Sequence, residues 1–249
     1  MPEGLPLAAT IAPLGLPPRE GLAAARSLGV RAVQVSATQP GLRPRDLDQA
    51  ARRDLLAALR RMELLLAGLD LWIPAAHFAS PAEVDRAVDA ATAAIELAAD
   101  LGRVPVSVSL PPRGEGPAEA AVQTLAQHAE RFGVEIADHA AATALRAGVG
   151  VGIDPAIVLA AGDDPAMAVA SVGGAGGRLV TARLVDFTTG AMRAPLGEPD
   201  GRLDVVSYRA ALDVAGYARP VVIDARQWRD AGGGIARTMQ LWQAKTVVG

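Results

Sequence analysis

Eight times along this 249-residue chain a short apolar run, often β-branched, gives way to a longer alanine-rich stretch with helical spacing. Parallel strands joined by crossover helices require that alternation. The runs are Leu7 to Ile11, Ala32 to Ser36, Leu71 to Ala75, Val104 to Leu110, Val134 to Ala137, Val149 to Ile153, Leu179 to Leu184 and Pro220 to Ile223. Most are apolar on both alternating faces, as expected of strands covered outside by helices and packed against side chains inside. Eight such units predict an α/β fold, a single (β/α)8 TIM barrel over residues 1–249, with any functional site at the carboxyl ends of the strands. A doubly wound open sheet shows the same alternation, but Ala12 to Pro18, APLGLPP, carries no dinucleotide glycine fingerprint, and no phosphate-loop motif occurs elsewhere.

The intervening segments give the helices. Asp46 to Leu66 sets Leu55, Leu59, Met62 and Leu66 on one stripe, with Arg52, Arg53, Arg60 and Arg61 largely off it. From Pro81, with Ser80 as the expected N-cap, the apolar positions Val84, Val88, Ala91, Ile95 and Ala98 repeat until Gly102. Pro117 to Phe132 and Val205 to Ala215 are two further amphipathic helices. The helix after the fifth strand is expected to be short, and Gly173 to Gly177 to form a glycine loop.

Composition narrows the function classes. Only 3% of residues are aromatic, so the core must be built from many small aliphatic contacts. A formal charge of −3 without long runs provides no basic footprint for nucleic acid. The absence of cysteine removes disulfides, thiolate chemistry and zinc–cysteine sites. No stretch approaches the ~20 apolar residues that span a bilayer, and the chain is expected to be cytoplasmic with no membrane partner. Arginine outnumbers lysine 23 to 1, so a single arginine carries little weight as a functional signal.

The last third is more specific. Arg178 to Asp224 holds a strand containing Arg183 and Asp186, a turn Pro195-Leu196-Gly197-Glu198, a helix, the pair Gly216-Tyr217 and a final strand. Gly150 to Pro165 adds a strand ending in Asp154. These segments resemble the xylose-isomerase-like barrels, the sugar phosphate isomerases and epimerases. That resemblance implies a small carbohydrate-like substrate and a proton moved between adjacent carbons. It also implies a divalent metal held by glutamate, aspartate, histidine and glutamate on strands five to eight. By position, Asp154 stands at the family's aspartate, Asp224 at its last glutamate, His139 at its first glutamate with Asp138 beside it, and Arg183 at its histidine. Gln34 and Ile157 fall where the family often has a further glutamate and a second histidine.

A guanidinium has no lone pair to offer a metal and stays protonated, so Arg183 is expected to substitute for the ion, and neither manganese nor magnesium is favoured as a cofactor. Asp154, Asp224 and His139 are the candidate catalytic groups. Arg183, His77, Asp186 and Arg226 are the candidate substrate contacts. Alternation along a strand lets only one of Asp138 and His139 face inward, and puts Asp224 and Arg226 on one face as a second ion pair. Each candidate also has a bland reading: Asp154 as a helix cap, Asp186 as the start of a loop, His77 as an incidental loop histidine, Arg183 as half of a structural ion pair. His128 is expected to be solvated, Arg113 to be a loop arginine, and Trp72, Trp228 and Trp242 to be packing, with Trp228 also a candidate pocket wall. The alternative to an isomerase or epimerase is a catalytically silent barrel that binds a metabolite or a protein.

Overall fold

The computed structural model describes residues 5–114, 116–140 and 145–244. Seven strands come first: β1 (Leu7–Thr10), β2 (Ala32–Ser36), β3 (Leu65–Asp70), β4 (Val106–Val108), β5 (Ile136–Asp138), β6 (Gly150–Ile153) and β7 (Leu179–Leu184). A small antiparallel ribbon, β8 (Asp186–Phe187) with β9 (Arg193–Ala194), follows β7. Strand β10 (Val221–Ile223) then closes a parallel barrel in the order β1-β10-β7-β6-β5-β4-β3-β2. Helices α1 (Pro18–Ser27), α2 (Gln49–Arg61), α3 (Val84–Asp100), α4 (Pro117–Phe132), α5 (Pro155–Ala160), α6 (Pro165–Gly174), α7 (Val205–Val214) and α8 (Ala231–Ala244) accompany the strands. The expected (β/α)8 barrel is the observed fold. Among the described residues no helix is long and apolar enough to cross a membrane.

Strand alternation separates two cores. The larger contains Ile11, Leu69, Ile136, Ile153 and Leu184 together with Leu22, Ile95, Leu125 and Tyr208 from the helices. The smaller, Ala8, Ala32 and Val222 with Ala67 against it, joins residues paired in register across β10, β1 and β2 and fills the lumen. Two residues further along the same faces stand Thr10, Gln34 and Asp224, all buried. The lumen is therefore apolar at its amino end and polar at its carboxyl end, which is where this fold assembles sites. The Gly216-Tyr217 pair has a local reason: Gly216 sits at φ 68, and the Tyr217 hydroxyl accepts from the Ala182 N–H at 3.1 Å and donates to the Pro220 carbonyl, tying β7 to the start of β10.

Four local expectations need correction. The third strand is Leu65–Asp70, not Leu71 to Ala75, part of which forms a short 3-10 turn. Helix α2 stops at Arg61, and Glu63 in the left-handed region (φ 53) turns the chain, so Leu66 belongs to a strand. Helix α3 starts at Val84 with Glu83 at its N-cap, although the Ser80 carbonyl does receive the Val84 N–H at 2.8 Å. Gly173 and Gly174 close α6 rather than forming a loop. The short helix expected after β5 falls partly on residues 141–144, outside the described residues. Helix α8 was not anticipated, because its opening Gly232-Gly233-Gly234 argues against helix by propensity.

Candidate functional site

Six charged side chains close over the carboxyl end of the lumen. Arg183 projects inward from β7, Asp70 ends β3, Asp154 follows β6 and Asp224 follows β10. The Arg183 guanidinium donates from Nη1 to Asp154 Oδ2 and from Nη2 to Asp70 Oδ1, both at 2.8 Å, while its Nε lies 3.5 Å from Asp224 Oδ2. Arg193, brought in by β9, donates from Nη1 to both Asp154 oxygens at 3.1 Å and from Nη2 to Asp224 Oδ2 at 2.7 Å. Arg226 Nε donates to Asp224 Oδ1 at 2.8 Å, and its Nη1 reaches Asp70 Oδ2 at 3.4 Å. Three guanidiniums thus neutralise three carboxylates. At these burials an unpaired member would be expensive, so the six charges are tightly interdependent.

The electrostatics follow from that closure. Burial alone would raise Asp224, but Arg183, Arg226 and Arg193 together hold its carboxyl well below the usual carboxylate range. Asp154 also accepts the Ala156 and Ile157 N–H groups, so it caps α5 as its bland reading anticipated while pairing with Arg183. His139 packs inward; its Nε2 lies 3.0 Å from Thr181 Oγ1, and only glycine fits opposite, since a Cβ on Gly152 would stand 2.5 Å from the ring. Burial first, then the nearby Arg183, keeps the imidazole neutral. Asp138 instead accepts the Leu110 and Ala140 N–H groups, and burial pushes its carboxyl up.

Beside the charged cluster lies a cavity of about 210 Å³. Asp70 and Arg226 contribute its charged groups, Thr10, Gln34 and Ser36 its hydrogen-bonding groups, and Trp72 and Trp228 its aromatic walls. Trp72 is 57% exposed, with the Arg226 guanidinium 5.1 Å from its ring centre. Gln34 donates from Nε2 to Ser107 at 3.2 Å, but its Oε1, although buried, has no partner.

Of the anticipated residues, Asp154, Asp224, Arg183, Arg226 and His139 are brought together here. Asp186 is not among the cavity residues; its Oδ1 accepts the Phe187, Arg202 and Leu203 N–H groups at 2.7–2.8 Å and ties the segment between β9 and α7 to β8. His77 also lies elsewhere, with Nε2 2.8 Å from Glu83 Oε2 on the turn before α3. His128 is not simply solvated: it meets Glu96 at 3.1 Å and stacks against Phe132. Two members of the cluster were not foreseen. Asp70 was hidden by the displaced third strand, and Arg193 by its loop position in an arginine-rich chain.

Residues 22–245 match the family profile of the xylose isomerase-like TIM barrel. The chain belongs to that family. No curated protein matches it in sequence. Among solved structures, a xylose isomerase domain protein from Planctomyces limnophilus superposes with a TM-score of 0.77 at 16% identity, covering 98% of each chain. D-psicose 3-epimerase from Clostridium cellulolyticum H10, solved with D-tagatose, gives 0.75 at 14% identity over 96% of this chain and 99% of its own. An L-ribulose 3-epimerase gives 0.74 at 16% identity, over 98% of this chain and 94% of its own. A family metal would need oxygen or imidazole donors free to converge, whereas in this xylose isomerase-like barrel the three aspartates are bridged by guanidiniums. Among the described residues no group of three or more His, Asp or Glu side chains is arranged to hold an ion. The residues present do not fit the metal.

Proposed function

We propose that this xylose isomerase-like barrel takes a small sugar or sugar acid into the cavity of about 210 Å³ and works on it as an isomerase or epimerase without a divalent metal. Its cationic centre is Arg183. The observation that carries the metal-free part of this reading is the position of that guanidinium, 2.8 Å from both Asp70 and Asp154 at the carboxyl ends of the strands, where it neutralises the carboxylates from within. Hydroxyl-binding groups and two indole walls in the adjoining cavity suit a polyhydroxylated ligand. The solved epimerases of this fold include a D-allulose 3-epimerase in complex with D-allulose.

The same geometry redistributes the chemistry. Both terminal nitrogens of Arg183 are already committed to carboxylates, and the Asp154 and Asp224 side chains are 0% exposed, so none of the three is presented to a ligand. Asp70 and Arg226 are. Proton transfer in this cavity has Asp70 as the carboxylate that removes a proton from the carbon beside a carbonyl. The C–H electron pair forms a carbon–carbon double bond and displaces the carbonyl π pair onto its oxygen, which Arg226 holds as an enediolate. Asp70 then returns the proton to the neighbouring carbon while the adjacent hydroxyl's proton passes to the first oxygen, which completes an isomerisation. Reprotonation of the original carbon by water from the opposite face instead gives the epimer. A second reading, a barrel that binds a carbohydrate without chemistry, is favoured by one observation: every carboxylate in the cluster, Asp70 included, already pairs with guanidinium groups, so its oxygens are committed within the protein.

Proton exchange into solvent decides between them. Aldoses and ketoses incubated with the protein in deuterium oxide should gain deuterium at the carbon next to the carbonyl, and Asp70→Asn should abolish the exchange. Binding by calorimetry without exchange would establish the silent barrel. Exchange should survive chelator, and manganese should leave the melting temperature unchanged; a stoichiometric metal whose removal stops exchange would overturn the metal-free reading.

A further inference from the structure

A second cavity of about 680 Å³ opens beside the first. It is built from the loop after β7, through Gly190, Met192, Arg193 and Glu198, and from the loop after β10 into the first turns of α8, through Arg229, Asp230 and Arg237. Gln227 and Trp228 line both cavities, so they form a shared wall rather than a barrier of packed core. Two features mark this wall as specialised. Gln227 holds a left-handed backbone (φ 69) that a non-glycine residue seldom adopts. The Trp228 indole is seated against Gly234, where a Cβ would stand 2.6 Å from the ring, yet its buried Nε1 donor has no partner. On the other side, Gln34, 1% exposed, leaves a buried acceptor without a partner in the first cavity. A hydroxylated ligand lying along the wall would offer both groups what they lack.

Charge decides what kind of extension the second cavity suits. Two of its arginines are paired, Arg193 with Asp154 and Asp224 and Arg237 with Glu198 at 2.7 Å, and the third, Arg229, is balanced in number by Asp230 on the same lining. The Asp230 carboxylate also accepts the Gly233 N–H at 2.9 Å, so a helix start that would otherwise attract an anion is already capped by one. Counted with the cluster that holds Arg193, the lining carries no net positive charge to favour a phosphate. Matched guanidinium and carboxylate groups around an indole suit the donors and acceptors of sugar hydroxyls instead.

We propose that the two cavities are subsites for one extended, uncharged carbohydrate of at least two sugar units, with Trp228 and Gln227 under the linkage between them. This rests on the sugar-binding reading of the first cavity and specifies its ligand. The test compares binding of D-fructose, D-glucose, maltose, cellobiose, lactulose and D-fructose 6-phosphate by calorimetry. Wild type is compared with Gly190→Trp, and Gly190→Ala serves as the conservative control. Gly190 suits this purpose because its backbone is ordinary and an added Cβ meets nothing nearer than Thr188 Oγ1 at 3.7 Å. Several added hydrogen bonds should make at least one disaccharide bind about tenfold more tightly than either monosaccharide. Gly190→Trp should erase that advantage and leave monosaccharide affinity unchanged, and Gly190→Ala should behave as wild type. Monosaccharides binding as tightly as every disaccharide, with no effect of Gly190→Trp, would overturn the extended ligand while leaving the sugar-binding reading standing. Preferential binding of the phosphate, lost in Gly190→Trp, would replace it with an anion subsite. Failure of all six to bind would sink both.

Discussion

Replacing Arg183 with methionine removes the hub of the charged cluster while roughly keeping its bulk, and the structure fixes what is left behind. Asp154 retains Arg193 and two backbone donors, and Asp224 retains Arg193 and Arg226, but Asp70 keeps only Arg226 at 3.4 Å. Three carboxylates then face two guanidiniums in a region from which water is largely excluded. Breaking a buried pair by deleting one partner typically destabilises by about 3–5 kcal/mol. For a chain of this length each kcal/mol moves the melting temperature by roughly 2–4 °C, so Arg183→Met should melt roughly 6–20 °C lower. The diagnostic step is a double-mutant cycle. Asp154→Asn alone removes a charge that Arg183 and Arg193 need, but in the Arg183→Met background it relieves an excess of negative charge. The two changes should therefore combine to less than their sum by about 0.5–3 kcal/mol. Thermal and urea unfolding of the four proteins measures this directly. An Arg183→Met variant melting with wild type, or strict additivity in the cycle, would show that the guanidinium is not the centre of an interdependent network.

Other perturbations probe the parts around that hub. His139 is kept neutral in the fold but takes a proton near pH 6.5 when unfolded, so the unfolded state binds more protons below that pH and stability falls on acidification. Unfolding curves of His139→Gln should therefore fall off less steeply than those of wild type as the pH drops from about 6.5 to about 5. Gly152→Ala places a methyl against the same ring and should destabilise by about 1–3 kcal/mol by overpacking, a loss that calorimetry would detect and that the pair Gly152→Ala/His139→Ala should partly recover. Asp186→Ala leaves the N–H groups of Phe187 and of Arg202 and Leu203, on the segment between β9 and α7, without their acceptor; it should lower stability by about 2 kcal/mol or more and increase proteolysis between Phe187 and Leu203.

Much of this architecture was legible in the residues because it follows from periodicity. Ala32 to Ser36 and Leu179 to Leu184 stand as strands with the boundaries the pattern implies, and Pro117 to Phe132 as the helix its proline and apolar spacing require. The third strand was misplaced because Leu64 to Ile73 is apolar nearly throughout, so neither period marks where helix gives way to strand. What decides it is a left-handed turn at Glu63, a conformation that residue type does not announce. The site shows the same division. Asp154, Asp224 and Arg183 were legible because each ends, or nearly ends, an identifiable strand. Asp70 depended on a strand register that was wrong. Arg193 reaches the centre from a ribbon ten residues beyond Arg183, and loop geometry of that kind leaves no periodic trace.

The matched count of the cluster was nonetheless deducible in principle. A single guanidinium facing Asp154 and Asp224 at the floor of a barrel leaves a buried excess of negative charge, which the low dielectric would penalise until further cations arrived. Arg226 is the first, two residues past Asp224 on the same face. Once Asp70 is added, electroneutrality requires a third, and Arg193 supplies it. Any variant of this barrel that restores a metal-binding residue at 183 must therefore also account for Arg193 and Arg226. Otherwise the incoming cation meets two fixed positive charges already seated on the carboxylates it needs.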